Sequence, residues 1–128
     1  AYGARVILEN FERNGVPVGR LFACGGVSKK NALMMQIYAD VLGRPIRIAG
    51  TTQAGALGSA MYASVAGGIY PDIQTAAAHL SKPDIGIYTP DAENHRIYSG
   101  LYAEYKKLYD YFGCENTVME QLSDMRQG

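Results

Sequence analysis

The feature that most constrains the fold is an apolar strand that runs into two glycines and then into a helix. Residues 21–24 (LFAC) are continuously apolar, which predicts a strand over 18–24 that is buried on both faces. Gly25 and Gly26 carry no Cβ, so the backbone at this point can approach a bulky ligand. Apolar residues at helical spacing over 33–42 predict a helix that points its free N–H groups back at the glycines. That arrangement suits a phosphate, although a plain tight turn also explains the glycines.

The turn after the glycines carries two lysines, Lys29 and Lys30. We expect both in the first turn of the helix, where a cation opposes the helix dipole. A bound anion would convert this conflict into an attraction, and the alternative is that both ammonium groups are simply solvated. The chain has neither the P-loop pattern nor the dinucleotide G-x-G-x-x-G pattern, so those two phosphate-binding motifs are excluded.

The strand and helix continue into a second strand. Gly43 and Pro45 end the helix, and Ile46 and Ile48 alternate with arginines in the way typical of a short strand. A strand, a helix and a strand within this length predict a βαβ unit with parallel strands.

The remaining chain is predicted to be mostly helical. The patterns predict helices over 4–11, 54–66, 73–80, 91–112 and 117–125, with Asp72 and Asn116 as N-caps and a loop over 81–90. The helix over 54–66 consists mainly of Gly, Ala and Ser, so we expect Gly58 to face a closely packed neighbour or a ligand. An apolar stripe on the helix over 91–112 predicts core packing or a domain contact; it comprises Ile97, Leu101, Tyr105, Leu108 and Phe112.

Composition narrows the classes of function. The 128 residues are 48% hydrophobic and 19% charged, and 12 basic residues balance 12 acidic ones, so nucleic acid is not an expected partner. No apolar run reaches the length needed to cross a membrane. Cys24 and Cys114 lack C-x-x-C spacing, and we interpret them as reduced thiols of a cytoplasmic protein, with a disulfide as the alternative. His79 and His95 fit no metal motif, and we expect no metal ligands in this chain.

Three blocks, in this order and spacing, resemble the C-terminal domain of the FGGY carbohydrate kinases. They are ACGG at 23–26 with Asn31 after it, MQIYADVLGRPI at 35–46, and AGALGSAMYA at 54–63. The tyrosine-rich run YSGLYAEYKKLYDYFG at 98–113 looks most like the ribulokinase branch of that family. The resemblance extends over about residues 1–113.

The resemblance implies an α/β fold: part of an actin-like, ribonuclease-H-like ATPase domain with short parallel strands and packed helices. Residues 1–128 would form the C-terminal part of the ATP-binding domain of a longer chain. ATP and Mg²⁺ are the implied cofactors and a ketopentose, L-ribulose first, the implied substrate, as in arabinose catabolism. The family's nucleotide contacts carry over to Gly25 and Gly26 for backbone approach, and to Asn31, Ser28 and Lys30 for polar contacts.

Two departures from the family leave some roles open. Many members have small or polar residues where this turn has lysines, and the spacing from Gly26 to Gln36 is one residue longer than in the glycerol kinase branch. The nucleotide contact could therefore belong to Lys29, Lys30 or Asn31.

The resemblance also implies what this chain lacks. The family's catalytic aspartate and most of its sugar contacts lie upstream, so we expect no catalytic residue here, no activity of the chain alone, and a missing N-terminal domain as its partner. Asp40 is interpreted as a structural contact. Exposed faces that normally meet the missing parts predict self-association, hence a homo-oligomer. The alternatives are another FGGY kinase, for xylulose, glycerol or a polyol, and a non-catalytic nucleotide-binding module of the actin-like superfamily.

Overall fold

The computed structural model describes residues 1–126, with the backbone alone at 114 and 115. Its elements in chain order are α1 (Tyr2–Arg13), β1 (Leu21–Ala23), α2 (Gly26–Lys30), α3 (Ala32–Leu42), β2 (Ile46–Ile48), α4 (Ala54–Ala66), α5 (Ile73–Leu80), β3 (Gly86–Tyr88), α6 (Ala92–Asp110), a π-helical turn (Tyr111–Glu115) and α7 (Val118–Met125). Within this part of the chain no helix has both the length and the apolar character needed to span a membrane.

The three strands form one mixed sheet in the order β1-β2-β3. β1 and β2 are parallel, with Leu21 opposite Ile46, which confirms the predicted βαβ unit. β3 runs antiparallel to β2 and pairs Tyr88 with Ile46. The prediction of a loop over 81–90 is therefore wrong for the residues of β3. A three-residue strand is too short to show an alternating pattern, and it forms here because β2 has a free edge to pair with.

The core lies between the sheet and α3. Met35 and Ala39 of α3 pack on Ile46 and Ile48 of β2, and all four side chains are buried. The prediction that β1 is buried on both faces is wrong for the described chain, because Phe22 is 53% exposed. The apolar run over residues 21–24 predicts a strand, but it does not determine how many faces of that strand are buried.

Two glycines are required by their surroundings. Gly43 ends α3 in the left-handed region with φ of 63°, and a Cβ there would lie 2.5 Å from Cε1 of His95. Gly50 follows β2, and a Cβ on it would lie 2.2 Å from the carbonyl oxygen of Pro83. The backbone therefore packs closely against the start of α6 at one point and against the segment before β3 at the other.

A single arginine links α1 to α3 and α6. Nη1 of Arg5 donates to the carbonyl oxygen of Val41 at 3.2 Å and to Oγ of Ser99 at 3.1 Å. Its guanidinium group lies 4.3 Å from the ring centre of Tyr102. The Tyr102 hydroxyl donates to Oε2 of Glu9 at 2.8 Å, which gives α1 and α6 a second contact.

The predicted apolar stripe of α6 does not pack in the core of the described chain, and the alternative of a domain contact stays a prediction. Tyr102 is the buried residue of this helix. The predicted stripe stays largely open: Ile97, Leu101, Leu108 and Phe112 are 48%, 54%, 60% and 45% exposed. The apolar residues share one face of the helix, but α6 contacts α3 and α1 through polar and aromatic groups on another face.

The helices α4 and α5 pack mainly on each other. Asp72 caps α5 as predicted, accepting from the Thr75 N–H at 2.7 Å. That hydrogen bond also lowers the pKa of the Asp72 carboxyl. Gly58 does not face a packed neighbour within the described chain, because a Cβ on it meets no atom within 4 Å, and a contact with a ligand or with further protein stays a prediction.

Candidate functional site

The candidate site lies where β1 and β2 end. Because the strands are parallel and Ala23 lies opposite Ile48, the segments that leave them emerge at the same edge of the sheet. The Ala49 N–H donates to the carbonyl oxygen of Ala23 at 2.9 Å, which holds the two exits together. Ligands of open α/β sheets bind outside this carboxyl edge of the strands.

The glycine turn at this edge is built from two residues with different requirements. Gly25 has φ of 90°, a conformation that favours glycine. Gly26 begins α2 and has no such φ, and a Cβ on it would meet nothing within 4 Å. No contact in the described chain therefore requires residue 26 to be glycine, and its role in approaching a ligand stays a prediction.

Ser28 stabilises the turn from within. Its side chain is 3% exposed, and Oγ donates to the carbonyl oxygen of Gly25 at 2.8 Å. The hydroxyl thus points into the turn, and its nucleotide-binding role stays a prediction.

The two lysines do not lie where the sequence placed them. The helix is interrupted at Asn31, so Lys29 and Lys30 belong to the last turn of the short α2 and not to the first turn of α3. The conflict with a helix dipole is therefore absent. Nζ of Lys29 donates to the carbonyl oxygen of Gly50 at 3.2 Å. Lys30 is exposed and has no hydrogen bond or ion pair within residues 1–126.

Asn31 begins α3 and is fixed by it. Its Oδ1 accepts from the Met34 N–H at 2.9 Å, a typical N-cap bond. The residue is exposed, so its side-chain amide remains accessible to a ligand. The sequence predicted a polar contact for Asn31 but not its capping role.

An open groove of about 420 Å³ lies beside the turn. It is lined by Ser28 and Lys29 of α2, Ile48 of β2 and residues 85–88. The last of these segments was predicted as loop, so sequence analysis missed one wall of the groove. Its short apolar run between Pro83 and Pro90 was the available signal.

Asp40 is a structural residue, as the sequence suggested. It is 2% exposed, and its carboxylate accepts from Gln36 Nε2 at 2.8 Å, from the Asp91 N–H at 2.8 Å and from Asn94 Nδ2 at 3.1 Å. His95 Nδ1 donates to the Asp40 carbonyl oxygen at 2.7 Å. These bonds tie α3 to the start of α6 and leave the carboxylate no access to a substrate.

Other reactive groups are not assembled into a centre. No group of three or more His, Cys, Asp and Glu residues in the described part of the chain could hold a metal ion. Cys24 is an exposed free thiol beside the turn. His79 stacks on Tyr70 with ring centres 5.3 Å apart.

The chain is similar to carbohydrate kinases in family pattern, in sequence and in structure. The model of the FGGY family of carbohydrate kinases, C-terminal domain, matches residues 1–67. Ribulokinase from Bacillus licheniformis is 46% identical over 98% of this chain. The ribulokinases of Mycolicibacterium smegmatis and Geobacillus thermodenitrificans are each 47% identical, over 98% and 99% of it. The chain spans only 24%, 22% and 23% of the length of these three relatives, in the same order.

Solved structures agree on the fold. Xylulose kinase from Rhodospirillum rubrum aligns with a TM-score of 0.67 and 26% identity, over 84% of this chain and 22% of its own. Ligand-bound xylulose kinase from Lactobacillus acidophilus aligns with a TM-score of 0.62 and 22% identity, over 73% of this chain and 18% of its own. The second likeness bears on the fold alone.

Proposed function

Because the chain belongs to the FGGY family of carbohydrate kinases, we propose that it is the C-terminal part of the ATP-binding domain of a ribulokinase. The whole enzyme transfers the γ-phosphoryl group of ATP to the terminal hydroxyl of L-ribulose and forms L-ribulose 5-phosphate. The observation that carries the choice of sugar is the identity of 46–47% to ribulokinases along nearly the whole chain. A second candidate substrate is D-xylulose, favoured by the likeness to a xylulose kinase structure at 26% identity.

The share of this chain in the reaction is to hold the nucleotide. Phosphoryl transfer depends on positioning and on electrostatic stabilisation of the phosphates, and ATP supplies the group that is transferred. The open positions beside Gly25 and Gly26 support an approach of the nucleotide to the backbone there. Lys30 and the amide of Asn31 would add polar contacts, while Ser28 keeps the turn in shape.

Mg²⁺ and the sugar complete the reaction. Mg²⁺ would accompany the phosphates of ATP, since this ion is usually held by substrate phosphates with one or two carboxylates. The base and the sugar contacts would lie in the N-terminal domain. A positioned base alone contributes about 10²–10⁴ in rate, so this chain by itself should not phosphorylate a sugar.

Exposed apolar side chains support further protein contacts. Phe22 on the sheet and Leu101 and Leu108 on α6 are each more than half exposed. We propose that such faces meet the rest of the enzyme and that the enzyme is a homo-oligomer, which sedimentation of the full-length protein tests. A free exposed thiol at Cys24 fits the reducing cytoplasm.

The decisive experiment is the substitution Gly26→Ala in the full-length enzyme, which adds one carbon atom to the turn. Gly26→Ala finds open space and no unfavourable φ in this chain, so the fold should tolerate it. If the nucleotide lies there, the KM for ATP rises while the KM for L-ribulose changes little. Gly19→Ala is the matched control, because its Cβ also meets open space but lies outside the turn.

The outcomes separate the proposals. ADP release is measured with L-ribulose, D-xylulose and glycerol, and a higher kcat/KM for D-xylulose would replace the first substrate by the second. If Gly26→Ala raised the KM for both substrates equally, the turn would be structural and not a nucleotide contact.

A further inference from the structure

Two adjacent lysines of the same chemistry are used differently in this fold. Lys29 donates to the carbonyl oxygen of Gly50 at 3.2 Å and lines the groove beside the turn. Both lysines are exposed, but Lys30 contacts no acceptor in the described part of the chain. The sequence alone treated them as one pair of cations.

The acceptor of Lys29 is held firmly. Gly50 follows β2, and a Cβ on it would lie 2.2 Å from the carbonyl oxygen of Pro83 and 2.9 Å from Cβ of Lys82. The backbone at Gly50 thus packs directly on the segment before β3. The Ile85 N–H donates to the carbonyl oxygen of Ile48 at 2.9 Å and pins that segment to the sheet.

The glycine turn, by contrast, has little stability of its own. The helix α2 contains five residues, and helices this short are unstable without tertiary contacts. The Ser28 hydroxyl donates to the Gly25 carbonyl oxygen, so this bond lies within the turn and does not tie the turn to the sheet. The bond from Lys29 to Gly50 crosses from the turn to the segment that leaves β2.

We propose that Lys29 is a positioning residue of the nucleotide site. It holds residues 25–30 against the segment at Gly50, and this leaves Lys30 as the cation of the pair that is free for the phosphates. The inference rests on the proposed function, since it concerns how that nucleotide site is kept in place.

The test uses four forms of the full-length enzyme: wild type, Lys29→Met, Lys29→Arg and Lys30→Met. Methionine keeps much of the apolar stem but cannot donate, whereas arginine keeps both the charge and the reach to the Gly50 oxygen. Lys29→Met should raise the KM for ATP about two- to tenfold, as the net worth of one hydrogen bond predicts, without changing the KM for the sugar. Lys29→Arg should restore it.

The salt dependence of the KM for ATP distinguishes a positioning role of Lys29 from a direct role of its charge. A bond to a neutral carbonyl group is little screened, so the loss in Lys29→Met should persist from low to high ionic strength. The loss in the matched variant Lys30→Met should shrink as salt rises, because it removes a charge facing an anion. If instead the Lys29→Met loss shrank in the same way, Lys29 would act by its charge and the proposal would be overturned.

Hydrogen exchange without nucleotide separates this inference from the proposed function. Lys29→Met should speed exchange of the amides of residues 26–31, and Lys30→Met should leave their exchange at the wild-type rate. Unchanged exchange in Lys29→Met would overturn the holding role. A wild-type enzyme that does not use ATP would overturn the proposed function, and exchange would still decide whether Lys29 holds the turn.

Discussion

The contact between α3 and α6 differs from the contact between α4 and α5 in the interactions that stabilise it. The first encloses a buried carboxylate, Asp40, whose oxygens accept three hydrogen bonds from α3, α6 and the residue before α6. The second contains many small side chains on α4, and around Gly58 it leaves open space. One region is defined by contacts inside this chain, while the other has a face that this chain does not cover.

This difference indicates where the effect of a mutation depends on contacts within this chain and where it depends on contacts with further protein. Near Asp40 the described residues supply the hydrogen-bond partners of the buried carboxylate, so the cost of a substitution there can be estimated from those bonds. Along α4 the effect of a substitution depends on whether further protein covers the small residues. The stability changes of variants in one region can therefore be compared with those of variants in the other.

The largest effect is expected at Asp40. Asp40→Ala removes the acceptor of the Asp91 N–H and of the Asn94 amide and one of the two acceptors of Gln36 Nε2, which should lower the free energy of unfolding by about 2–4 kcal/mol. Chemical denaturation measures the loss. Asp40→Asn is the control, because it keeps one acceptor oxygen at the same size and should lose clearly less. Equal losses would show that the retained volume and the one remaining oxygen contribute little, and that the second oxygen with the negative charge supplies the stabilisation.

A smaller loss is expected for Tyr102→Phe at the contact between α1 and α6. The change removes the hydroxyl that donates to Glu9, at a cost of about 1–2 kcal/mol. Tyr105→Phe is the matched control on the same helix, since its hydroxyl makes no hydrogen bond within the described chain. Similar losses in both variants, measured by thermal denaturation, would contradict the assignment.

The same tyrosine predicts a change in alkaline stability. Burial, with the bond to Glu9, raises the pKa of Tyr102 from 10.0 to about 12. The folded state therefore holds this proton more tightly than the unfolded state. The resulting stabilisation is fully present below pH 10 and is lost as the pH rises from 10 through 12. Tyr102→Phe should show a shallower decline over that range, and an unchanged slope would contradict the raised pKa.

The smallest effect is expected for Gly58→Ala on α4. Alanine favours the helix and its Cβ meets open space, so the free energy of unfolding should rise by about 0.5–1 kcal/mol. Gly50→Ala provides the contrast, because its Cβ would collide with the Pro83 carbonyl group. A loss of stability in Gly58→Ala in the full-length protein would show that other segments cover this face.

Several parts of the fold were predictable from local sequence. Gly43 with Pro45 ended α3, Asp72 capped α5, and the alternation at Ile46 and Ile48 marked β2, and all three predictions are confirmed. Each depends on backbone conformation or on bonds within a few residues. The same local logic identified the glycine turn as the place to look for a site.

Tertiary structure decided what local pattern does not encode. The face of α6 that packs was chosen by Arg5 and Glu9 on another helix, and β3 formed only because β2 had a free edge. Lys29 and Lys30 are equivalent in sequence, yet the carbonyl group of Gly50 is within reach of only the first. Sequence by itself determined most of the elements, the glycine turn and the resemblance to the family, but neither β3 nor the break between α2 and α3. Contacts between distant residues determined which faces are buried and which groups remain free, because burial and hydrogen bonding depend on neighbours that no local pattern specifies.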